Sequence, residues 1–259
     1  MARNKLFIYP LDLGTLIGID KAIFTHLRNE GVKIDVPCIG WLILGGEKKV
    51  LVDTGPCDPA WASRFHRPIK KEPSQEINGA LSQVGLSPKD IDVIIFTHLH
   101  WDHCFNLEQF SASTFLVQQE ELRYAVTPLP ADRKAYEAYI PGIQPPWMSV
   151  FGKIIPLNGD QQVLPGIQVI HLPGHTPGSQ GVAVDTHEGT WLIAGDNVPL
   201  YENWRGDNYL DHIPSGVYQN LYDMDASLKK MDAFGERVLP SHDKEILEHK
   251  RYPLADPPK

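Results

Sequence analysis

The sequence predicts an α/β protein whose sheets and helices form layers. Short apolar runs rich in β-branched residues recur along the chain, glycine and proline separate them, and two intervening segments have helical periodicity. The 259 residues are enough for one large domain. Because no repeat, low-complexity segment or long linker divides the chain, we expect residues 1–259 to form a single domain.

The apolar runs predict the strands. Residues 41–46 (WLILGG) and 48–55 (KKVLVDTG) indicate two strands joined by a glycine turn. Residues 91–96 (IDVIIF) have the composition of a strand buried on both faces. The remaining strand-like runs are 113–118, 167–173, 181–186, 190–196 and 237–243.

Two segments have the periodicity of amphipathic helices. The first covers residues 75–84 and the second residues 219–235. The apolar positions that fall on one face are Ile77, Ala80, Leu81 and Val84 in the first, and Leu221, Met224, Leu228, Met231 and Phe234 in the second. The methionine and leucine stripe of the second segment indicates core packing rather than a cofactor site.

Two further segments fit neither pattern. Residues 15–37 indicate a loop or irregular helix, and residues 124–152 are rich in proline and aromatic residues. They are either surface excursions packed on the core or a pair of lids over an active site. For the lids, the candidate substrate contacts are Phe24, Tyr139 and Trp147, and His212 is a further candidate for the pocket wall.

Composition and charge exclude several classes of partner. The net charge is −8, so a nucleic acid is not expected. No apolar stretch is long enough to cross a bilayer, no secretory signal is recognisable, and three cysteines do not make a disulfide framework. We therefore expect a cytoplasmic protein with a small-molecule substrate. The sequence leaves the oligomeric state open, and a homodimer is compatible with it.

A cluster of metal-binding residue types follows the strand predicted at 91–96. Residues 97–103 read THLHWDH and contain the pattern H-x-H-x-D-H, formed by His98, His100, Asp102 and His103. In an extended segment, side chains two residues apart point the same way, so His98 and His100 can bind one metal ion. If the chain then turns into a helix, Asp102 and His103 can reach a second ion. Imidazole and carboxylate ligands suit zinc, and also iron, cobalt or manganese.

Three more residues of ligand type stand directly after apolar runs. His175 lies in a turn rich in glycine and proline, Asp196 ends the run at 191–196, and His242 follows the run that begins at residue 238. Each one alone is a weak signal, because an aspartate after a strand is commonly a turn residue. Together with the H-x-H-x-D-H pattern they predict seven ligands at one rim of a sheet scaffold.

This order of ligands resembles that of the metallo-β-lactamase superfamily. The residues LVDTG at 51–55 match a second signature of that family, and the resemblance covers residues 38–245. It implies an αββα sandwich with two divalent metal ions at one edge, and zinc is the expected metal. By the resemblance, one ion would be held by His98, His100 and His175. The other would be held by Asp102, His103 and His242. Asp196 would bridge the two ions, and Asp53 would support the metal loop by hydrogen bonds.

Within the superfamily, the chain looks most like the quorum-quenching N-acyl homoserine lactonases. Residues 172–180 (LPGHTPGSQ) and 241–245 (SHDKE) are similar to that group, as is the long N-terminal segment. These lactonases commonly carry a tyrosine three residues after the bridging aspartate. Pro199 occupies that position here, and Tyr201 is the nearest tyrosine, so Tyr201 is a candidate catalytic hydroxyl.

The resemblance implies a lactonase that opens an N-acyl homoserine lactone by attack of a hydroxide bridging the two metals. Asp102 or Asp196 would carry the proton to the leaving oxygen. Other hydrolases of the fold remain as alternatives, acting on another ester, a thioester, an amide or a phosphodiester. A mononuclear iron dioxygenase and a non-catalytic binding module are further alternatives, and a complete second metal site argues against both.

Overall fold

Two β-sheets form the centre of the structure, a computed structural model that describes residues 6–256. The strands are β1 (Phe7–Asp20), β2 (Lys33–Leu44), β3 (Val50–Val52), β4 (Ile69–Lys70), β5 (Val93–Ile95), β6 (Thr114–Gln118), β7 (Ile154–Leu157), β8 (Gln161–Leu164), β9 (Ile167–His171), β10 (Gln180–Thr186), β11 (Gly189–Ile193) and β12 (Val238–Leu239). The α-helices are α1 (Pro59–Phe65), α2 (Ile77–Ser82), α3 (Gln119–Val126), α4 (Tyr201–Arg205) and α5 (Leu221–Met231). The 3-10 helices are Lys21–Ile23, Pro73–Gln75, Pro88–Asp90, Leu107–Gln109, Pro146–Lys153, Gly195–Asn197, Asp232–Phe234 and Lys244–Glu248.

The two sheets have different strand orders. The first has seven strands in the order β4-β1-β2-β3-β5-β6-β7, and the second has five in the order β12-β11-β10-β9-β8. The long β1 and β2 pair antiparallel, whereas β3, β5, β6 and β7 run parallel. In the second sheet, β12 pairs parallel with β11. The parallel strands of each sheet bring their carboxyl ends to one edge, and the loops after them can therefore meet there.

The core between the sheets follows from the alternation of side chains along the strands. Ile39, Trp41 and Ile43 of β2 point inward, and they pack in one cluster with Val182 and Val184 of β10. These side chains are almost fully removed from solvent. Since successive residues of a strand face opposite sides, the intervening residues of β2 are free to face the helices.

Helices cover the outer face of each sheet. Residues of α2 and α3 pack with Leu42, Phe96 and Phe115 on the first sheet. The stripe on α5 formed by Met224, Leu228 and Met231 packs with Leu192 and Ala183 on the second. The layers are therefore helix, sheet, sheet, helix, and the predicted αββα sandwich is confirmed.

The two segments of uncertain pattern have distinct structures. Residues 15–20 and 33–37 are strand, because the end of β1 and the start of β2 pair, with Leu16 opposite Val36 and Ile19 opposite Ile34. The prediction of a loop or irregular helix was wrong for these two ends, where cross-strand pairing compensates for the irregular local pattern. Between them, residues 21–32 form the 3-10 helix Lys21–Ile23 and turns. Residues 124–152 comprise the end of α3, a series of turns and the start of the 3-10 helix Pro146–Lys153.

Within the described residues, no helix combines the length and the apolar character needed to cross a membrane.

A close backbone approach fixes the chain near Ser215 against the 3-10 helix Lys21–Ile23. A Cβ atom built on Gly216 would lie 2.0 Å from the backbone oxygen of Ala22, which is far inside van der Waals contact. Only glycine leaves room for this contact. Ile23 and Ser215 both line the cleft described below, so the packing at Gly216 holds two cleft walls together.

We predict that Gly216→Ala destabilises the protein by about 1–3 kcal/mol, because the added methyl group must displace the Ala22 backbone. Thermal unfolding followed by circular dichroism measures the effect. Gly152→Ala is the matched control, because among the described residues no atom lies within 4 Å of a Cβ built there. An unchanged melting temperature for Gly216→Ala would show that the two segments separate easily.

Candidate metal centre

All seven predicted ligands lie at one edge of the sandwich. His98, His100, Asp102 and His103 follow β5, and His175 lies in the turn between β9 and β10. Asp196 follows β11 and His242 follows β12. Because β11 and β12 are parallel neighbours, the last two ligands leave their sheet side by side. The strands therefore act as the rigid scaffold and the loops after them carry the chemistry.

The ligand atoms form three overlapping groups. Within each group the potential ligand atoms lie within 4.8 Å of one another. The groups are His98, His100 and His175; His98, His103 and Asp196; and Asp102, His103 and His242. The first and third groups share no residue, and Asp196 lies with His98 of the first and His103 of the third. This is the arrangement needed for two metal ions with a bridging carboxylate.

The carboxylate of Asp196 faces both groups. Its Oδ1 lies 3.2 Å from Nε2 of His103 and 3.3 Å from Nε2 of His242, and its Oδ2 lies 3.6 Å from Nε2 of His175. The hydroxyl of Ser241 donates a hydrogen bond of 2.6 Å to Oδ1 and holds the carboxylate in this orientation. One oxygen of Asp196 is thus directed to each side of the centre.

Hydrogen bonds orient three of the imidazoles. Nδ1 of His103 lies 2.8 Å from Oδ2 of Asp53. Nδ1 of His175 lies 2.8 Å from the backbone oxygen of Val217, and Nδ1 of His242 lies 2.8 Å from that of Pro37. Since these acceptors require a proton on Nδ1, the lone pair of each ring is on Nε2 and points into the centre.

Several buried ligand atoms have no other role in the fold. Nε2 of His98, His103 and His242 are buried, and within residues 6–256 no hydrogen bond of acceptable geometry satisfies them. A buried polar atom without a partner is costly, so a native structure retains one where something else binds it. These unsatisfied nitrogens, together with the carboxylates beside them, fit divalent metal ions.

The histidines of the cluster differ in the direction in which their pKa is shifted. Burial lowers the pKa of His98 well below its usual value, and positive charge on neighbouring imidazoles lowers it further. Burial also acts to lower the pKa of His103, but Asp196 and Asp53 hold it well above the usual value. Burial alone would raise the pKa of Asp196, and the charges of His103 and His242 instead hold it well below its usual range. Asp196 is therefore ionised at neutral pH, as a metal ligand must be.

Asp53 is the support of the ligand-bearing segment. It follows β3, and its carboxylate accepts hydrogen bonds from the backbone N–H of Thr97 at 2.8 Å and from the Thr97 hydroxyl at 2.7 Å. The same carboxylate accepts from His103, as described above. Asp53 has a φ of +57°, a left-handed conformation that aspartate and asparagine adopt more readily than other side chains.

We predict that Asp53→Asn lowers zinc affinity by about tenfold to a hundredfold, because His103 loses its anionic acceptor while the backbone conformation stays accessible. Competition with a chromophoric chelator measures the affinity. The control is Asp185→Asn, which removes a carboxylate bonded to the Thr190 hydroxyl on the second sheet. Equal zinc affinity in the wild-type and Asp53→Asn proteins would contradict a supporting role for Asp53.

Glu121 is a second buried support that the sequence patterns did not reveal. Its Oε1 accepts from the Leu99 N–H at 2.9 Å and from the Tyr136 hydroxyl at 2.8 Å. Its Oε2 accepts from the Thr176 hydroxyl at 2.6 Å. Burial raises the pKa of Glu121, and these three donors oppose that rise. One carboxyl group thereby joins the loop of His98 and His100 to the loop of His175.

A cleft of about 390 Å³ opens over the ligands. Its floor contains the ligands His100, Asp102, His175, Asp196 and His242. One wall is apolar and comes from the end of β1 and the residues after it, namely Leu16, Ile19, Ile23 and Phe24. The other walls contain His66, Arg67, Trp101, Ala131, Asp132, Lys134, Ala135, Ser215 and Val217.

The predicted substrate contacts are divided between the cleft and other places. Phe24 lines the cleft, with its ring 5.5 Å from that of His242. Trp147 does not line it, because its indole is buried in the core between the first sheet and its helices. Tyr139 also lies outside the cleft, where it is 63% exposed and packs beneath the guanidinium of Arg133.

Tyr201 and His212 also lie outside the cleft lining. Tyr201 begins α4 and packs at the edge of the core between the sheets, near Tyr252. Burial raises the pKa of Tyr201 to about 12. The ring of His212 stacks on Trp204, and its nitrogens contact the Trp204 backbone oxygen and Asp232. The prediction that Tyr201 supplies a hydroxyl to the centre is therefore not supported by its position.

Residues that the sequence analysis passed over form much of the cleft wall. Trp101 stands between two ligands in the motif, so its position at the site could have been inferred from the sequence. Its ring stacks on His66 at a centroid distance of 4.3 Å, and Glu137 fixes that imidazole through a contact of 2.6 Å. Nothing in the local sequence around Arg67 or Lys134 indicates that these side chains line the cleft.

Comparison with known proteins agrees with this geometry. The family model described as the metallo-β-lactamase superfamily matches residues 35–242. The chain therefore belongs to the metallo-β-lactamase superfamily, and its site is that of a metal-dependent hydrolase.

The relatives within the superfamily are more specific. The chain is 30% identical over 217 residues to an N-acyl homoserine lactonase of a Bacillus species, covering 80% of this chain and 81% of the relative. It is 28% identical over 207 residues to the N-acyl homoserine lactonase AiiB of Agrobacterium fabrum, covering 70% of this chain and 72% of the relative.

Solved structures share the fold. One is an N-acyl homoserine lactone hydrolase with N-hexanoyl-L-homoserine bound at its catalytic metal centre, at a TM-score of 0.74 and 23% identity, covering 96% of each chain. Another is AidC, a dizinc quorum-quenching lactonase, at a TM-score of 0.69 and 18% identity, covering 98% of this chain and 90% of AidC.

Proposed function

We propose that the protein is a dizinc lactonase that hydrolyses N-acyl homoserine lactones. The observation that carries the proposal is the pair of ligand groups bridged by Asp196 at the floor of a cleft with one apolar wall. The relatives that are named lactonases support the same reaction. Five imidazoles and two carboxylates are ligands that zinc prefers, which supports zinc as the metal.

The proposed reaction is hydrolysis of the lactone ring. Two bound divalent ions would supply Lewis acidity to the lactone carbonyl and lower the pKa of water to about 7. In the hydrolysis, the oxygen of a water molecule would add to the carbonyl carbon, the bond from this carbon to the ring oxygen would break, and a proton from the water would pass to the departing oxygen. The product is the N-acyl homoserine, which is a hydroxy acid.

Asp102 is the better of the two candidate proton carriers. The oxygens of Asp196 are engaged by Ser241 and by the imidazoles on both sides. The carboxylate of Asp102 lines the cleft, lies 3.8 Å or more from His103 and His242, and accepts no hydrogen bond from another described residue. Oδ1 or Oδ2 of Asp102 can therefore hold a proton and release it to the ring oxygen.

The cleft also sets the orientation of the substrate. The apolar wall of Leu16, Ile19, Ile23 and Phe24 would bind the acyl chain, because burying its methylene groups is favourable. Pro199 cannot donate a hydrogen bond, and Tyr201 lies outside the cleft lining. Hydrogen bonding to the substrate would then depend on other cleft residues.

The experiment that tests the function combines metal analysis with a substrate panel. We expect two zinc ions per chain, and a rate of ring opening of N-hexanoyl homoserine lactone that exceeds the opening of a β-lactam or the cleavage of a phosphodiester by orders of magnitude. Proton release detected with a pH indicator measures turnover, and chelation should abolish it until zinc is restored. One tightly bound iron per chain, or faster turnover of the β-lactam or phosphodiester, would contradict the proposal.

We predict that Phe24→Ala raises KM for a decanoyl homoserine lactone about fivefold and changes KM for the butanoyl lactone little, because the lost apolar contact grows with the buried chain. Leu27→Ala is the control, since Leu27 lies three residues away and is 69% exposed. Metal content is measured in both variants because Phe24 contacts His242. An equal increase for both chain lengths would place the acyl chain elsewhere.

A further inference from the structure

Among the described residues, two cationic side chains that form no ion pair contribute to the cleft lining outside its apolar wall. Arg67 follows α1, and Lys134 lies in the turns between α3 and the 3-10 helix Pro146–Lys153. Both side chains contribute to the lining of the same cleft as the metal ligands. Across residues 6–256, neither forms an ion pair or a hydrogen bond through its charged group. Both residues are exposed, so the charges are available to a ligand entering the cleft.

Neighbouring cations show how these two differ. Arg64, in the last turn of α1 and three residues before Arg67, lies over the ring of Phe65 at 4.8 Å. Arg133, next to Lys134, lies over the ring of Tyr139 at 4.9 Å. Neither of these arginines lines the cleft. In each of the two segments, one cation outside the cleft packs on an aromatic ring. The other cation lines the cleft and has no ionic partner among the described residues.

The acidic side chains near the cleft do not neutralise the pair. Asp102 and Asp196 belong to the metal centre. Asp132 is the other carboxylate of the lining, and its Oδ2 accepts from the Tyr124 hydroxyl and the Gln219 amide, without an ion pair to Arg67 or Lys134. Two divalent ions held by five neutral imidazoles and two carboxylates would be only half neutralised. With the ions bound, the cleft would therefore be positive in a chain whose net charge is −8.

A positive cleft bounded by low-dielectric walls concentrates anions, and the guanidinium of arginine matches a carboxylate or phosphate with two parallel hydrogen bonds. An apolar acyl chain would contact only the apolar wall and would leave both cations unpaired. We propose that the preferred substrates are esters or lactones that carry an anionic group, such as a carboxylate, which Arg67 and Lys134 bind while the scissile carbonyl lies over the metal ligands. The inference rests on the proposed function and specifies its substrate class.

Binding of ring-opened products tests this without relying on turnover. The probes are N-succinyl-, N-glutaryl- and N-adipoyl-homoserine, each compared with the amide of its terminal carboxylate, titrated calorimetrically into the zinc-loaded protein. The carboxylate of at least one pair should bind about threefold to tenfold more tightly than its amide, as expected for two partly solvated charge pairs. Raising the salt concentration should reduce this preference, because exposed ion pairs are screened.

The variant Arg67→Gln/Lys134→Gln should lose the preference and keep its affinity for the amides. The matched control Arg64→Gln/Arg133→Gln removes the same total charge outside the cleft and should keep the preference. Equal affinity for every acid and its amide in the wild-type protein overturns the inference. The inference is also overturned if the preference for the carboxylate survives in Arg67→Gln/Lys134→Gln, or if it disappears in Arg64→Gln/Arg133→Gln. Failure of the proposed function is distinct, because it would appear as no ring opening of any lactone by the zinc-loaded enzyme.

Discussion

The hydrogen bonds of the buried Asp53 carboxylate connect the two strands on which the centre is built. Asp53 directly follows β3, and its carboxylate accepts hydrogen bonds from the backbone N–H and the hydroxyl of Thr97 shortly after β5. From Thr97 the chain continues at once into His98 and the other ligands of the motif. The same carboxylate binds His103 at the far end of that motif. The ligand-bearing segment is therefore held at both ends by one side chain.

The histidines that follow strands of the second sheet are oriented by backbone oxygens rather than by a carboxylate. Nδ1 of His175 is bonded to the Val217 oxygen and Nδ1 of His242 to the Pro37 oxygen, so their Nε2 atoms face the centre. Glu121 then joins the loops of the two sheets through Leu99 and Thr176. Burying so many polar groups is unfavourable unless each has a partner, and the chain supplies partners on every side except the one that faces the metals.

The floor of the cleft contains the metal-ligand residues typical of the family, and its walls are built from other residues of the chain. The ligand order matches the superfamily, whereas the phenol of Tyr201 lies outside the cleft lining. In place of that phenol, the walls present Trp101, Arg67 and Lys134. The chemistry at the floor and the choice of substrate at the walls are therefore separable, because they depend on different segments of the chain.

The sequence by itself determined the layers and the ligands. Strand alternation and helical periodicity record which side of each element is buried, and the spacing of His98, His100, Asp102 and His103 records a shared coordination geometry. Only the tertiary structure decided which aromatic and charged residues reach the cleft. Trp147 and Tyr139 are close to Lys134 in sequence, yet one is buried in the core, the other is exposed, and Lys134 alone of the three lines the cleft. Such positions depend on how turns pack against distant segments, and local patterns carry no information about that packing.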